Sequence, residues 1–151
     1  LNTFLEMEPK IMGYLESVGV GGGKPVWPVG PLIDFPRRDQ TQRPRDAEIL
    51  AWLDRQTPGS VVYVSFGTVS CLSPAQVTEL ALGLETSGKP FLWVLRSPES
   101  SSAEDWKADL LPEGYERRVQ ERCLIETRWA PQGLILAHEA TGAFISHCGW
   151  N

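Results

Sequence analysis

Trp129, Gln132, His147 and Trp150 bring a flat aromatic face, an amide, an imidazole and a second indole into the stretch from Trp129 to Asn151, which reads WAPQGLILAHEATGAFISHCGWN. An indole placed just after a strand and before a proline can lie flat at the edge of a sheet, where a stacked base is worth roughly 1–3 kcal/mol. His147 follows an apolar strand pattern, at the point where the N-terminus of a further helix would present free N–H groups to an anion. Trp150 can cover the C–H face of a sugar or meet a hydroxyl with its indole N–H. Upstream, Ser65-Phe66-Gly67-Thr68 forms a second candidate loop, in which the glycine permits close backbone approach and the Thr68 hydroxyl can bond a phosphate oxygen.

Each of these residues also has a plain structural reading when taken alone. Trp129 is one of six tryptophans and would serve as a half-buried packing residue, while Gln132 would serve as an exposed polar group at a helix start. A lone histidine beside an apolar strand is more often a satisfied core or loop group than a ligand, and His138, expected on the helix between Gln132 and Thr141, is read that way. The separations among His138, His147 and Cys148 fit no zinc pattern and no carboxylate recurs with them, so no metal site is expected. Gly21-Gly22-Gly23-Lys24 lacks the earlier glycine and the following Ser/Thr of a Walker A loop, and no G-x-G-x-x-G supports a dinucleotide oxidoreductase.

The bulk numbers bound the remaining classes. A chain of 151 residues with 42% apolar and 22% charged residues is long enough for one domain with a sizeable core and is ordinary globular composition. Net charge −5 argues against a nucleic-acid partner, because phosphate-backbone binding needs clustered Lys and Arg. No run approaches the roughly 20 apolar residues of a membrane span, and no basic-then-apolar leader opens the chain. Cys71, Cys123 and Cys148 are odd in number and lack C-x-x-C spacing, which fits reduced thiols in a cytoplasmic protein.

Elements that could position the chemistry follow from the patterning. A short helix is expected over Glu6–Ser17, then a Gly-rich turn over Gly19–Gly23, then a Pro-, Arg-, Asp- and Gln-rich linker without periodicity. The organisation expected is 1–30 as the end of one domain, 31–45 as linker, and 46–151 as the first half of a second domain. Asp46–Arg55 reads as an amphipathic helix stopped by the turn at Thr57–Gly59. Val61–Val64 is a β-branched and aromatic run suited to a strand covered on both faces. Ser73-Pro74-Ala75-Gln76 is a capping box with proline at the first helical position. Its helix carries Val77, Leu80, Ala81 and Leu84 on one face and stops at Gly88. Further strands are expected at Phe91–Leu95, Cys123–Thr127 and Ala143–Ser146, with a surface loop over Arg96–Leu111 and a short polar helix over Pro112–Gln120. Strands alternating with helices predict right-handed βαβ units and an α/β parallel sheet, whose ligands bind beyond the carboxyl ends of the strands. Both candidate loops, Phe66–Val69 and His147–Asn151, fall at such ends.

With these motifs in place, the chain closely resembles the plant family-1 UDP-glycosyltransferases. Their signature box runs W-A-P-Q, I-L-x-H, G-x-F and H-C-G-W-N-S, matched here from Trp129 to Asn151. V-G-P-L at Val29–Leu32, W-L-D at Trp52–Asp54, the S-F-G-T turn, L-A-L-G-L-E at Leu80–Glu85 and L-P-E-G at Leu111–Gly114 also recur in that family. The box is cut before its serine, glutamate and final acidic-plus-amide pair, so the resemblance makes this a fragment.

The resemblance implies a Rossmann-like parallel sheet in a two-domain GT-B architecture, with an incomplete C-terminal donor domain. It implies that Trp129 stacks on uracil, the backbone of Ala130 reads the uracil edge, and Gln132 bonds the ribose hydroxyls through an amide that both donates and accepts. His147, the Asn151 side chain and the Gly149–Asn151 backbone would hold the diphosphate, with Thr68 contacting phosphate. Trp150, where glucuronate-using members often carry arginine, favours a neutral hexose, glucose being expected and galactose left open. The reaction implied is inverting transfer from a UDP-sugar to a hydroxyl of a small lipophilic acceptor such as a phenolic, terpenoid or hormone. The histidine base lies upstream of Leu1 in that family, so no catalytic base is assigned in this chain. No cofactor or metal is expected, and a cytoplasmic monomer is. The alternative is a truncated, non-catalytic UDP-binding module or the remnant of an inactive gene.

Overall fold

Val61, Tyr63 and Val64 are fully buried in the centre of a four-stranded sheet, as an apolar, β-branched run flanked by Gly59 and Gly67 requires. The computed structural model describes residues 1–22, 24–32, 43–67, 72–96 and 106–149, without the side chain of residue 108. These fall into two compact units, 1–32 and 43–149.

The second unit alternates strands and helices: α2 (Pro44–Leu53), β1 (Val61–Ser65), α3 (Pro74–Ser87), β2 (Phe91–Val94), α4 (Trp106–Leu110), α5 (Tyr115–Val119), β3 (Cys123–Glu126), α6 (Gln132–Leu136) and β4 (Thr141–Ser146). The strand order is β3-β2-β1-β4 and every pairing is parallel. Tyr63 lies opposite Leu92 on one side and Phe144 on the other. Successive strand residues feed opposite faces. Phe91 and Trp93 join Val64, Val77, Ala81, Leu84, Tyr115 and Val119 in one core. Leu92 joins Ile49, Leu53, Val61, Tyr63 and Ile135 in the other. Helices α3 and α5 thus cover one face and α2 and α6 the other, the three-layer α/β arrangement expected.

Local chemistry sets the helix ends. At the start of α3 the Ser73 N–H donates to Gln76 Oε1 at 2.9 Å, and the Gln76 N–H donates to Ser73 Oγ at 3.3 Å, which completes the capping box. Gly88 closes α3 at φ +65, a left-handed position where a Cβ is disfavoured.

Three expectations shift. Trp106–Leu110 is helical, not loop; Trp106 packs against the core and Leu110 and Leu111 are buried within it. Five residues carry too little periodicity to declare themselves. The segment after Pro112 begins its helix only at Tyr115 and is anchored by buried Tyr115 and Val119, so it is less polar inward than its arginines imply. His138 lies beyond the end of α6, in the turn before β4.

In the first unit, α1 covers Pro9–Ser17 with proline in its first turn; the helix expected from Glu6 starts three residues later, where Pro9 supplies a preset φ and needs no N–H partner. Residues 1–3 and 29–32 are tied together: the Val29 N–H donates to Leu1 O at 3.0 Å, the Gly30 N–H to Thr3 O at 2.8 Å, and the Leu32 N–H to Asn2 Oδ1 at 2.7 Å. Among the described residues no helix is long and apolar enough to cross a membrane.

Candidate functional site

The sheet reverses its order at β1: β2 and β3 build outward on one side, and β4 returns to the other. In an open parallel sheet the loops beyond the carboxyl ends of the strands flanking such a reversal diverge to opposite faces and leave a crevice. The loops here are Phe66–Gly67 after β1 and His147–Gly149 after β4.

Gly67 takes φ +74, and a Cβ built there would stand 2.7 Å from His147 Cε1. A Cβ on Gly149 would likewise collide with His147 Nε2. The exposed imidazole therefore rests between two glycine backbones from different loops. Cys148, between them, has φ +53, the one positive-φ non-glycine among the described residues, and its N–H donates to Ser146 Oγ at 3.0 Å. The Ser146 hydroxyl thus holds the turn that follows β4.

Gly67 also lines a cleft. Tyr63, Ser65 and Gly67 come from β1 and its end, Val94 and Arg96 from the end of β2, and Trp129, Ala130 and Gln132 from the connection between β3 and α6. Trp129 is 48% exposed while Ala130 is buried, so an aromatic plane stands above a backbone segment locked in the core. The Ala130 carbonyl accepts from the Gln132 N–H at 2.8 Å, which folds the main chain tightly into α6 and leaves the carbonyl's second lone pair for a ligand.

The connection carrying Trp129 is held by a buried acid. Glu126 is 3% exposed; its Oε2 accepts from Arg45 Nε at 2.6 Å and its Oε1 from the Arg128 N–H at 2.8 Å. Burial by itself pushes the Glu126 carboxyl up, and the hydrogen bonds from Arg45 and the backbone more than reverse this, leaving it below the ordinary carboxylate range. The same contact, with a further one to Glu48, raises Arg45. Both groups stay charged through the neutral range, so the loop is pinned by an ion pair.

His138 plays a different part. Its Nδ1 accepts from the Ala140 N–H at 3.1 Å, which puts the ring proton on Nε2, where it faces Asp54 Oδ1 at 3.1 Å. It stitches the end of α2 to the start of β4, the structural role expected of it.

The structure thus brings Trp129, Ala130 and Gln132 to one cleft with Gly67, and packs His147 against Gly67 and Gly149. Thr68, Trp150 and Asn151 lie outside the described residues. Sequence reasoning missed Tyr63, Val94 and Arg96 as lining residues, while Ser65 falls in a loop it singled out. Arg96 was findable: it follows β2 directly, and the rule that singled out the ends of β1 and β4 applies equally to β2.

Residues 36–151 match the family model for UDP-glucoronosyl and UDP-glucosyl transferase, and the chain belongs to that family. All of it aligns with UDP-glycosyltransferase 73B3 of Arabidopsis thaliana at 43% identity, over 31% of that protein. All of it also aligns with hydroquinone glucosyltransferase of Rauvolfia serpentina at 44%, over 33% of its length. The crystal structure of a transferase from Siraitia grosvenorii in complex with UDP superposes with TM-score 0.70 and 41% identity, covering 99% of this chain and 34% of that one. The chain spans about a third of the length of the curated relatives it matches.

Proposed function

We propose that this chain supplies part of the donor site of a UDP-glucosyltransferase that transfers glucose, with inversion, to a hydroxyl of a small lipophilic acceptor. The observation that carries the reading is the convergence of Trp129, Ala130 and Gln132 on one cleft at the carboxyl ends of β1 and β2, with His147 packed against Gly67, which lines the same cleft. In this reading the base stacks on Trp129, the Ala130 backbone reads its edge, the Gln132 amide bonds the ribose diol, and the diphosphate lies toward His147, Gly149 and Asn151, with Thr68 on phosphate. Trp150 faces the hexose. The domain organisation proposed with it is 1–30 as the end of an acceptor domain, 31–45 as linker and 46–151 as the first half of the donor domain.

In transfer, the acceptor oxygen forms a bond to the anomeric carbon from the face opposite the leaving group, its proton passing to a base outside this chain. The anomeric C–O bond to the diphosphate breaks, and UDP departs with the electron pair. What these residues contribute is stabilisation of that departing charge: the His147 imidazole and main-chain N–H groups meet it, with no metal or redox cofactor required. The hydroquinone named for one relative supports a phenolic acceptor, alongside terpenoids and hormones. A cytoplasmic monomer is part of the proposal.

The test is titration of the full-length protein with UDP and UDP-glucose, followed by tryptophan fluorescence, with Trp129→Ala as control. Saturable quenching abolished by the substitution is expected; a flat titration of folded protein would overturn the reading.

A further inference from the structure

The indole of Trp129 has two faces, and one is already occupied. The guanidinium carbon of Arg43 lies 4.1 Å from the ring centroid, well inside the range of cation–π attraction. Arg43 is not among the residues that wall the cleft, whereas Trp129 is, so the guanidinium covers the indole from outside the cleft. Two residues on, Arg45 reaches the same connection and binds buried Glu126, whose other oxygen takes the Arg128 N–H. The start of α2 therefore grips the segment between β3 and α6 twice, at Glu126 and at Trp129.

We propose that Arg43 is a positioning residue for the nucleotide: it fixes the plane of Trp129 from behind, so that the ring meets a base already oriented and the complex is a guanidinium–indole–base stack. The inference rests on the donor-site reading above and extends it to a residue outside the signature box. An exposed indole with one bare face on each side can turn about χ1 and χ2, and a ligand that must stop this motion binds more weakly by the ordering it imposes. Arg43 moves that ordering into the folded protein before the ligand arrives. A planar guanidinium matches the indole over its area, which an ammonium on a flexible stem does not, so lysine restores only part of the effect.

The experiment compares wild type, Arg43→Ala, Arg43→Lys and Trp129→Ala, singly and combined, in the full-length protein. UDP affinity is read by calorimetry, and the near-UV circular dichroism of Trp129 is taken as the difference from Trp129→Phe. Arg43→Ala is expected to weaken UDP binding about fivefold, or about 1 kcal/mol, and to flatten the Trp129 band without ligand; Arg43→Lys falls between. In the Trp129→Ala background the Arg43 substitution is expected to have no effect on UDP affinity, the non-additivity of a coupled pair. An unchanged UDP affinity in Arg43→Ala beside a wild type that binds, or an equal loss with and without Trp129, overturns the proposal and leaves the donor site standing. A wild type that does not bind UDP overturns the donor site itself. A Trp129 band unchanged by Arg43→Ala overturns the fixing of the ring whatever the ligand result.

Discussion

A side chain on Gly67 and the imidazole of His147 cannot share the space they meet in: the added Cβ would stand 2.7 Å from Cε1. Two loops from strands adjacent in the sheet but far apart in sequence are thereby fitted to each other atom against atom. Gly67→Ala is expected to lose about 1–2 kcal/mol of stability from its left-handed backbone alone, and to weaken UDP binding as His147 is displaced. Urea unfolding and UDP titration of the same variant measure the two effects separately.

Trp129→Ala removes the exposed plane above Ala130 and leaves the core intact. A loss of roughly 1–3 kcal/mol of base stacking is expected in UDP affinity, with the midpoint of thermal unfolding little changed. A large drop in that midpoint would make the indole a packing residue instead.

The ion pair at Glu126 has a pH signature. Because the folded carboxyl lies below its ordinary value near 4.5, the stabilisation it brings is complete above that value and is lost as pH falls through the folded one. Stability measured by urea unfolding between pH 6 and pH 3 is expected to decline more steeply in wild type than in Glu126→Gln.

Arg45→Ala leaves the buried Glu126 with only its backbone donors. A buried charge stripped of its ion-pair partner makes about 3 kcal/mol of destabilisation the expected result at neutral pH, and Arg45→Lys is expected to recover part of it. Chemical denaturation of the three proteins checks the order.

His138→Ala breaks the link between Asp54 and the Ala140 N–H. Two lost hydrogen bonds predict about 1–3 kcal/mol of destabilisation, with UDP affinity unchanged once the protein is folded, since the side chain does not line the cleft. A change in UDP affinity larger than twofold would give His138 a part in the site.

β1 and β2 were legible because they are short apolar runs bounded by glycine or proline, and the capping box because Ser73 and Gln76 stand at the one spacing that lets each satisfy the other. Trp129, Ala130 and Gln132 were legible as a contiguous motif. Arg43 and Arg45 were not: they sit at the edge of a basic, proline-rich stretch that reads as solvated chain. Their partners, Glu126 and Trp129, are some 80 residues away, a pairing that no local pattern carries. The strand order was equally hidden, since alternation of strands and helices fixes the hand of each crossover and leaves open on which side of β1 the last strand lands.

That landing has a kinetic meaning. β1 closes on β2 across one helix, yet its other edge waits for β4, which lies much further along the sequence than β2. Loop closure over such a span is slow, so the sheet is expected to grow outward through β2 and β3 before β4 docks. His147 reaches Gly67 only when β4 docks, and a nucleotide that needs both loops would recognise the sheet with β4 in place and no earlier species. Its binding would then act as a latch on β4, slowing that strand's departure while leaving the order of assembly untouched.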